Sequence, residues 1–349
     1  MRRVRWVALA VTAAALGAGS CGTPGREGAA VAMAAPAGRD PYAALVEAMQ
    51  SAQPPLQAYA CEVFLEADQA PPVDEVRTLL ADADPRVRML AVTVLGAMRR
   101  ADLAAVIRER QRDGEPVVRL AAAFAMAMVG TPTEMNSLRD ALASPDVSLR
   151  RTAAWLLGLM ANRSAAGMLK VKLDDPDAVV VLRTAEALHR LGSDAGLEVV
   201  RALAAHDRHE VRCWAVRLLG EMGVAEDIPL LERLCQSQFL DVKFAAIGAL
   251  ARRGDLKRID LLLKVLDEPD RPGPTTEGAS PKEGRILAMR ALADSGYTPA
   301  VERLGAVLAK GDLMERTAAA GAIIGIRSTK QPWRSRALVD QPAPPPQGR

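Results

Sequence analysis

Aromatic residues make up only 3% of this 349-residue chain, as 4 Trp, 3 Tyr and 4 Phe. Compact domains draw heavily on large rings to fill their cores, so this scarcity points to an interior built from small and aliphatic side chains. Histidine and cysteine are scarce too, at 3 and 4, which leaves little material for a catalytic metal centre. An excess of charge of one sign is also missing. Lys and Arg number 45 against 42 Asp and Glu, and Arg2, Arg3 and Arg5 carry the whole surplus. That balance lacks the electrostatic footprint of a nucleic-acid binder, and no nucleic-acid partner is expected. What the chain has in quantity is Ala, Leu, Val and Met, within a composition that is 50% hydrophobic.

The amino terminus reads as an address. Arg2, Arg3 and Arg5 precede the apolar stretch Trp6 to Leu16, and Gly17, Ala18, Gly19 and Ser20 lead to Cys21. A charged end, a short apolar run and small residues form a bacterial export signal over residues 1–20. The apolar part falls short of the roughly twenty residues that span a bilayer. Small residues before a cysteine resemble a lipobox, which implies a lipid on Cys21 and membrane attachment through it. Ala18 and Ser20 depart from the preferred lipobox residues, and the alternative is a secreted protein cleaved near Ser20 or Ala35. Position 22 is Gly, which in a two-membrane cell implies sorting to the outer membrane. Residues 21–39 are Gly-, Ala- and Pro-rich and suit a flexible tether.

Residues 40–326 repeat themselves. Starting from Arg88, steps of 31 reach Arg119, Arg150, Val181, Arg212 and Lys243, and one step back reaches Gln57. An eleven-residue insertion then shifts the frame to Arg285, after which 31 returns at Arg316. Three residues beyond these nine anchors stand Ala60, Ala91, Ala122, Ala153, Thr184, Ala215, Ala246, Ala288 and Ala319. Each unit reads as two helices, the first with apolar residues at helical spacing, as in Ala215, Val216, Leu218 and Leu219. Asp84-Pro85 and Glu115-Pro116 mark helix starts. Gly130, Gly192, Gly223, Gly254 and Gly296 mark ends. Second helices follow, as in Ile228, Leu231 and Leu234, and Tyr42, Leu45 and Met49 predict a lone second helix capping the stack. The last unit lacks a second helix, with Trp333 available to fold over its open end. A mobile insertion is expected over 267–283, and a Pro-rich disordered tail over 327–349.

The D-P-x-V-R opening at Asp84 to Arg88 and the A-x-x-x-L-G run at Ala91 to Gly96 resemble HEAT repeats, particularly the short phycobilisome-lyase-like type. The resemblance implies an all-α, right-handed α-solenoid, an armadillo-like superhelix of about nine helix pairs. Nine units spaced like packed helices give an arc on the order of 80–90 Å. It also implies that anchor arginines bond the loop acids four residues earlier: Asp84, Glu115, Asp146, Asp177 and Asp312. Val181 and His189 break the pattern in the fifth unit, which is expected to be looser or bent.

Catalytic candidates are few. His206, His209 and Cys213 form an H-x2-H-x3-C cluster, one ligand short of a zinc site, and the simpler reading is two loop histidines and a core thiol. Deoxyhypusine hydroxylase, a di-iron enzyme on a HEAT-like scaffold, needs several His-Glu pairs, whereas this chain has only His209-Glu210. Cys61, Cys213 and Cys235 sit in core columns, with a Cys213–Cys235 disulfide as an option outside the cytoplasm. No cofactor is expected. Two surface features suggest docking. Phe124, Met128, Trp155 and Leu159 stand in a column expected to be exposed, where other units carry polar residues such as Glu62, Glu186 and Arg217. Arg77, Arg108, Arg139, Lys170 and Arg201 form a basic row on the second helices, expected to line the inner curve. The expected function is a non-catalytic scaffold binding an unidentified protein partner. The alternative is a lyase-like or metal-dependent enzyme using His206 and His209.

Overall fold

The computed structural model describes residues 39–66, 70–131, 135–267 and 280–328. The expected signal, Cys21, most of the tether and insertion, and the tail with Trp333 lie outside these described residues. The chain is all-helical, with no strand among the described residues. Its helices are α1 (Pro41–Gln50), α2 (Pro54–Glu66), α3 (Val73–Leu79), α4 (Pro85–Ala97), α5 (Ala104–Arg110) and α6 (Pro116–Met128). There follow α7 (Met135–Leu142), α8 (Val147–Leu159), α9 (Ala166–Lys170), α10 (Ala178–Arg190), α11 (Leu197–Leu203) and α12 (His209–Met222). The last are α13 (Ile228–Leu234), α14 (Leu240–Arg252), α15 (Ile259–Asp267), α16 (Pro281–Ser295), α17 (Ala300–Lys310) and α18 (Leu313–Ser328).

Local chemistry sets the boundaries. Asp84, Asp146 and Asp177 accept hydrogen bonds from the first free N–H groups of α4, α8 and α10, neutralising donors that have no partner inside the helix. Ser280 caps α16 in a reciprocal box with Glu283, so the end of the expected mobile insertion is the ordered first turn of a helix. Several helix ends close on a left-handed residue, and Gly130, Gly192, Gly254 and Gly296 supply it. At the same repeat position Arg99 and Ala161 adopt φ of 53° despite their side chains, while Gly223 stays at φ −65°.

The even-numbered helices, the first of each pair, pack against one another in succession, and the odd-numbered helices pack outside them. Ala60, Ala91, Ala122, Ala153, Thr184, Ala215, Ala246, Ala288 and Ala319 are all 0% exposed. Close approach between even-numbered helices rests on missing side-chain volume. A Cβ at Gly96 would fall 2.5 Å from Cα of Ala125, and one at Gly158 would fall 2.9 Å from Cα of Ala187. Shared packing of this kind lets short hairpins bury a core that none could bury alone. The aromatic shortage has its cause here, since rings would hold these backbones apart.

The stack of pairs closes on itself. Helix α18 packs on α1 and α2, although the two ends of the fold are hundreds of residues apart. Helix α1 occupies the place of an outer helix following α18, so the unpaired helices at the two ends complete each other. Arg316 Nη2 hydrogen-bonds Glu47 Oε1 across this seam, and the Tyr59 hydroxyl fills the space where Gly321 has no side chain. Three expectations are corrected by this closure: the open arc, the capping role of the first helix, and the exposed end left for Trp333. The expectation that second helices line the inner curve is reversed as well.

Candidate functional site

Closure converts one face of the even-numbered helices into the inside of a ring. Phe124 is 0% and Trp155 is 6% exposed, while Met128 and Leu159 are half-buried against the same core. The expected apolar docking patch is therefore interior. Glu62, Glu186 and Arg217 stand in that column too, and each is buried at 7–8% exposure. Identical repeat positions thus supply an apolar sector on α6 and α8 and a charged sector from α10 through α16 to α2.

The charged sector is held by pairs that bridge helices. Arg217 Nε and Nη2 lie 2.5 and 2.9 Å from the Asp294 carboxylate, joining α12 to α16. Arg86 Nη2 on α4 donates to Glu62 Oε1 on α2 at 2.8 Å, while within α10 itself Arg190 Nη2 donates to Glu186 Oε1 at 2.9 Å. The Arg183 guanidinium sits 4.4 Å from the ring centre of Trp214 and 5.8 Å from that of Trp155, a cation–π arrangement that compensates for lost water. Burying charge is costly unless each ion is paired, and the pairing here is incomplete. Glu62 Oε2, Glu66 Oε1 and Arg290 Nε and Nη2 are buried without a hydrogen-bond partner. Burial holds the Glu66 carboxyl well above its usual range and raises those of Glu62 and Glu221. Arg290, buried and beside Arg217, is lowered to about 10. Burial also works against the Arg217 charge, and the Asp294 carboxylate outweighs it.

The anchor arginines make a ladder, but with different partners from those implied. Arg88 reaches Asp113 with two bonds of 2.9 and 2.8 Å, and Arg150 reaches Asp175 likewise at 2.9 and 3.0 Å. Each also donates to carbonyls of its own loop, Asp82 and Ala83 or Ser144 and Pro145. Asp84, Asp146 and Asp177 are occupied as caps. Asp312 accepts from Lys282 and from the Glu315 N–H. The fifth unit is an ordinary helix, with Val181 at 4% exposure and His189 bonded to Asp194 at 3.0 Å.

His206 and His209 do not converge on a shared site. His206 Nδ1 accepts the N–H of Arg208 at 3.1 Å. His209 Nδ1 lies 2.8 Å from Asp241, and its ring stacks on Phe239 at 4.7 Å. Cys213 donates to the Asp241 carbonyl, and burial pushes its thiol up to about 12. Among the described residues no group of His, Cys, Asp and Glu could hold a metal ion. Cys61, Cys213 and Cys235 are free thiols, so the optional disulfide is absent.

The basic row lies on the outer wall. Arg77, Arg108, Arg139 and Lys170 are exposed on α3, α5, α7 and α9. Arg77 is 3.6 Å from Asp74, and Arg139 is 3.8 Å from Asp140. Arg201 is half-buried and bonded to Asp227, apart from the other four. Sequence reasoning missed Tyr59, Arg183 and Arg290 as interior groups. The only signal for Arg183 and Arg290 was opposite charge at matching columns, which a solvated helix face shows equally, and Tyr59 carries no charge.

No helix among the described residues is long and apolar enough to cross a membrane. No curated protein matches the chain. Among solved structures, the Escherichia coli protein YibA is 18% identical over 72% of this chain and 91% of its own, with a TM-score of 0.39. The complex of CpcE and CpcF of phycocyanin lyase from Nostoc sp. PCC7120 is 17% identical over 70% of this chain and 94% of that one, with a TM-score of 0.38. An engineered protein is 21% identical, covering 81% of this chain and 88% of its own, with a TM-score of 0.29. The HEAT repeats family matches residues 42–127, 135–212 and 202–277, and with most of the helical region accounted for, the chain belongs to the HEAT-repeat family.

Proposed function

We propose that this protein is a non-catalytic binding scaffold, exported and held to a membrane by a lipid on Cys21. It engages an acidic segment of a partner protein through its outer wall. HEAT repeats support the scaffold role. Their inner face is consumed by ring closure, which leaves the odd-numbered helices and the two rims for docking. The observation that carries the reading is the set of exposed cations Arg77, Arg108, Arg139 and Lys170 on four successive outer helices. Cations aligned along a wall attract an anionic segment and orient it.

Capture from membrane extracts tests the reading. The full chain is compared with a variant carrying glutamate at all four positions. Wild type should retain a partner that the variant loses, and raised salt should release it, because exposed charges are screened. Equal retention by both proteins, or binding indifferent to salt, would remove the outer-wall assignment. Mass spectrometry of the mature amino terminus tests anchoring, and any terminus other than an acylated Cys21 overturns it. Stoichiometric zinc or iron in purified protein would instead favour an enzyme built on His206 and His209.

A further inference from the structure

Every junction between neighbouring helix pairs but one is bridged by the chain itself. The exception is the contact of α1 and α2 with α18, where residues at opposite ends of the fold meet without a peptide connection. Local openings follow the cooperative boundaries of a fold, and in this ring the seam is the boundary that no loop holds shut. The helices that meet there bury apolar side chains, Ala44, Leu45, Ala48 and Met49 on α1 and Ala319, Ala320, Ile323 and Ile326 on α18, and polar links join their edges. Arg316 bonds Glu47, which also holds Arg39 at 3.2 Å. The notch at Gly321 is so shallow that a Cβ there would collide with the Tyr59 oxygen.

The same seam controls access to the charged interior. Tyr59 and Glu62 on α2 feel the fields of Arg290 on α16 and Arg183 on α10, and Glu66 feels that of Arg190. These groups face one another only while α2 is docked. In the closed ring the Glu62, Glu66 and Arg290 side chains each keep a buried polar atom without a partner. Opening the seam hydrates those atoms, which offsets part of the packing it gives up. A change at the seam that favours one state over the other shifts their populations.

We propose that the ring is a clasp that opens between α1–α2 and α18, and that this seam is the entrance to its charged interior. Hydrogen exchange on the full chain tests it. Arg316→Glu places two carboxylates together at the seam. Exchange in α1, α2 and α18 should then rise on the order of tenfold, while α8 and α10, on the far side of the ring, keep wild-type protection. Adding Glu47→Arg should restore protection, and Arg39→Ala should leave it unchanged. As a second readout, the buried Cys61 thiol on α2 should react faster with a maleimide in Arg316→Glu than in wild type. Unchanged exchange at α1 and α18, or acceleration spread equally to α8 and α10, would overturn the proposal.

Discussion

Phe124 shows how the meaning of a residue depends on what stands across from it. On an open solenoid its column would face solvent, and an aromatic there would be an invitation to dock. In the ring it is completely buried. Phe124→Ser should therefore destabilise the protein by about 3–5 kcal/mol, as for other large-to-small changes in a packed core. Thermal unfolding measures this, and a loss under about 1 kcal/mol would mean that the column is exposed in solution. The arginine ladder carries a similar lesson. A helix-opening acid four residues before an arginine suggests a pair, yet the free backbone N–H groups of the helix claim that acid first. The arginine then finds the next carboxylate along the ring.

At the scale of helices, sequence periodicity locates buried stripes but does not say how many faces of a helix are covered. The alanine column was legible because small residues recurring at a fixed interval serve close packing between helices and little else. The charged interior was not, because Glu186 and Arg190 also look like a solvated helix pair, and acids such as Glu62 and Glu66 are ordinary on a solvated face. Acid–base behaviour distinguishes the two. Burial raises the Glu66 carboxyl, so its contribution to stability is complete at acid pH and is lost as pH rises through its pKa in the ring. Replacing it with a neutral isostere, Glu66→Gln, should make the variant gain stability relative to wild type as pH rises. Urea unfolding across the acid-to-neutral range checks the sign, and a difference independent of pH would mean that Glu66 is solvated. Asp113 has the opposite dependence. The Arg88 guanidinium holds it below the usual carboxylate range, so its contribution is present above the unfolded pKa and disappears as pH falls. The two groups therefore act in opposite directions, Asp113 losing its contribution as pH falls and Glu66 as pH rises.

Linear repeat arrays fray from their ends, but this ring joins its end helices to each other. Since α1 takes the place of the outer helix that would follow α18, the end of α18 lies where a short connector could lead into α1. A circular permutant, joined from Ser328 to Arg39 by a few residues and opened within 268–279, should fold with native helicity. Its seam should be harder to open, because the join now bridges it. Circular dichroism and hydrogen exchange check this, and a permutant that does not fold would contradict the arrangement of the ends.

Composition and the interval of 31 were enough to determine a stack of Ala- and Leu-rich helix pairs, since each repeats the same buried columns and none can be stable alone. They also placed most helix starts and stops, because caps and left-handed glycines act within a few residues. Closure belongs to the tertiary structure. The turn from each pair to the next accumulates over the whole stack, and no single repeat records the sum. That accumulated curvature decided which face became interior, and with it whether an aromatic column was a docking site or part of a core.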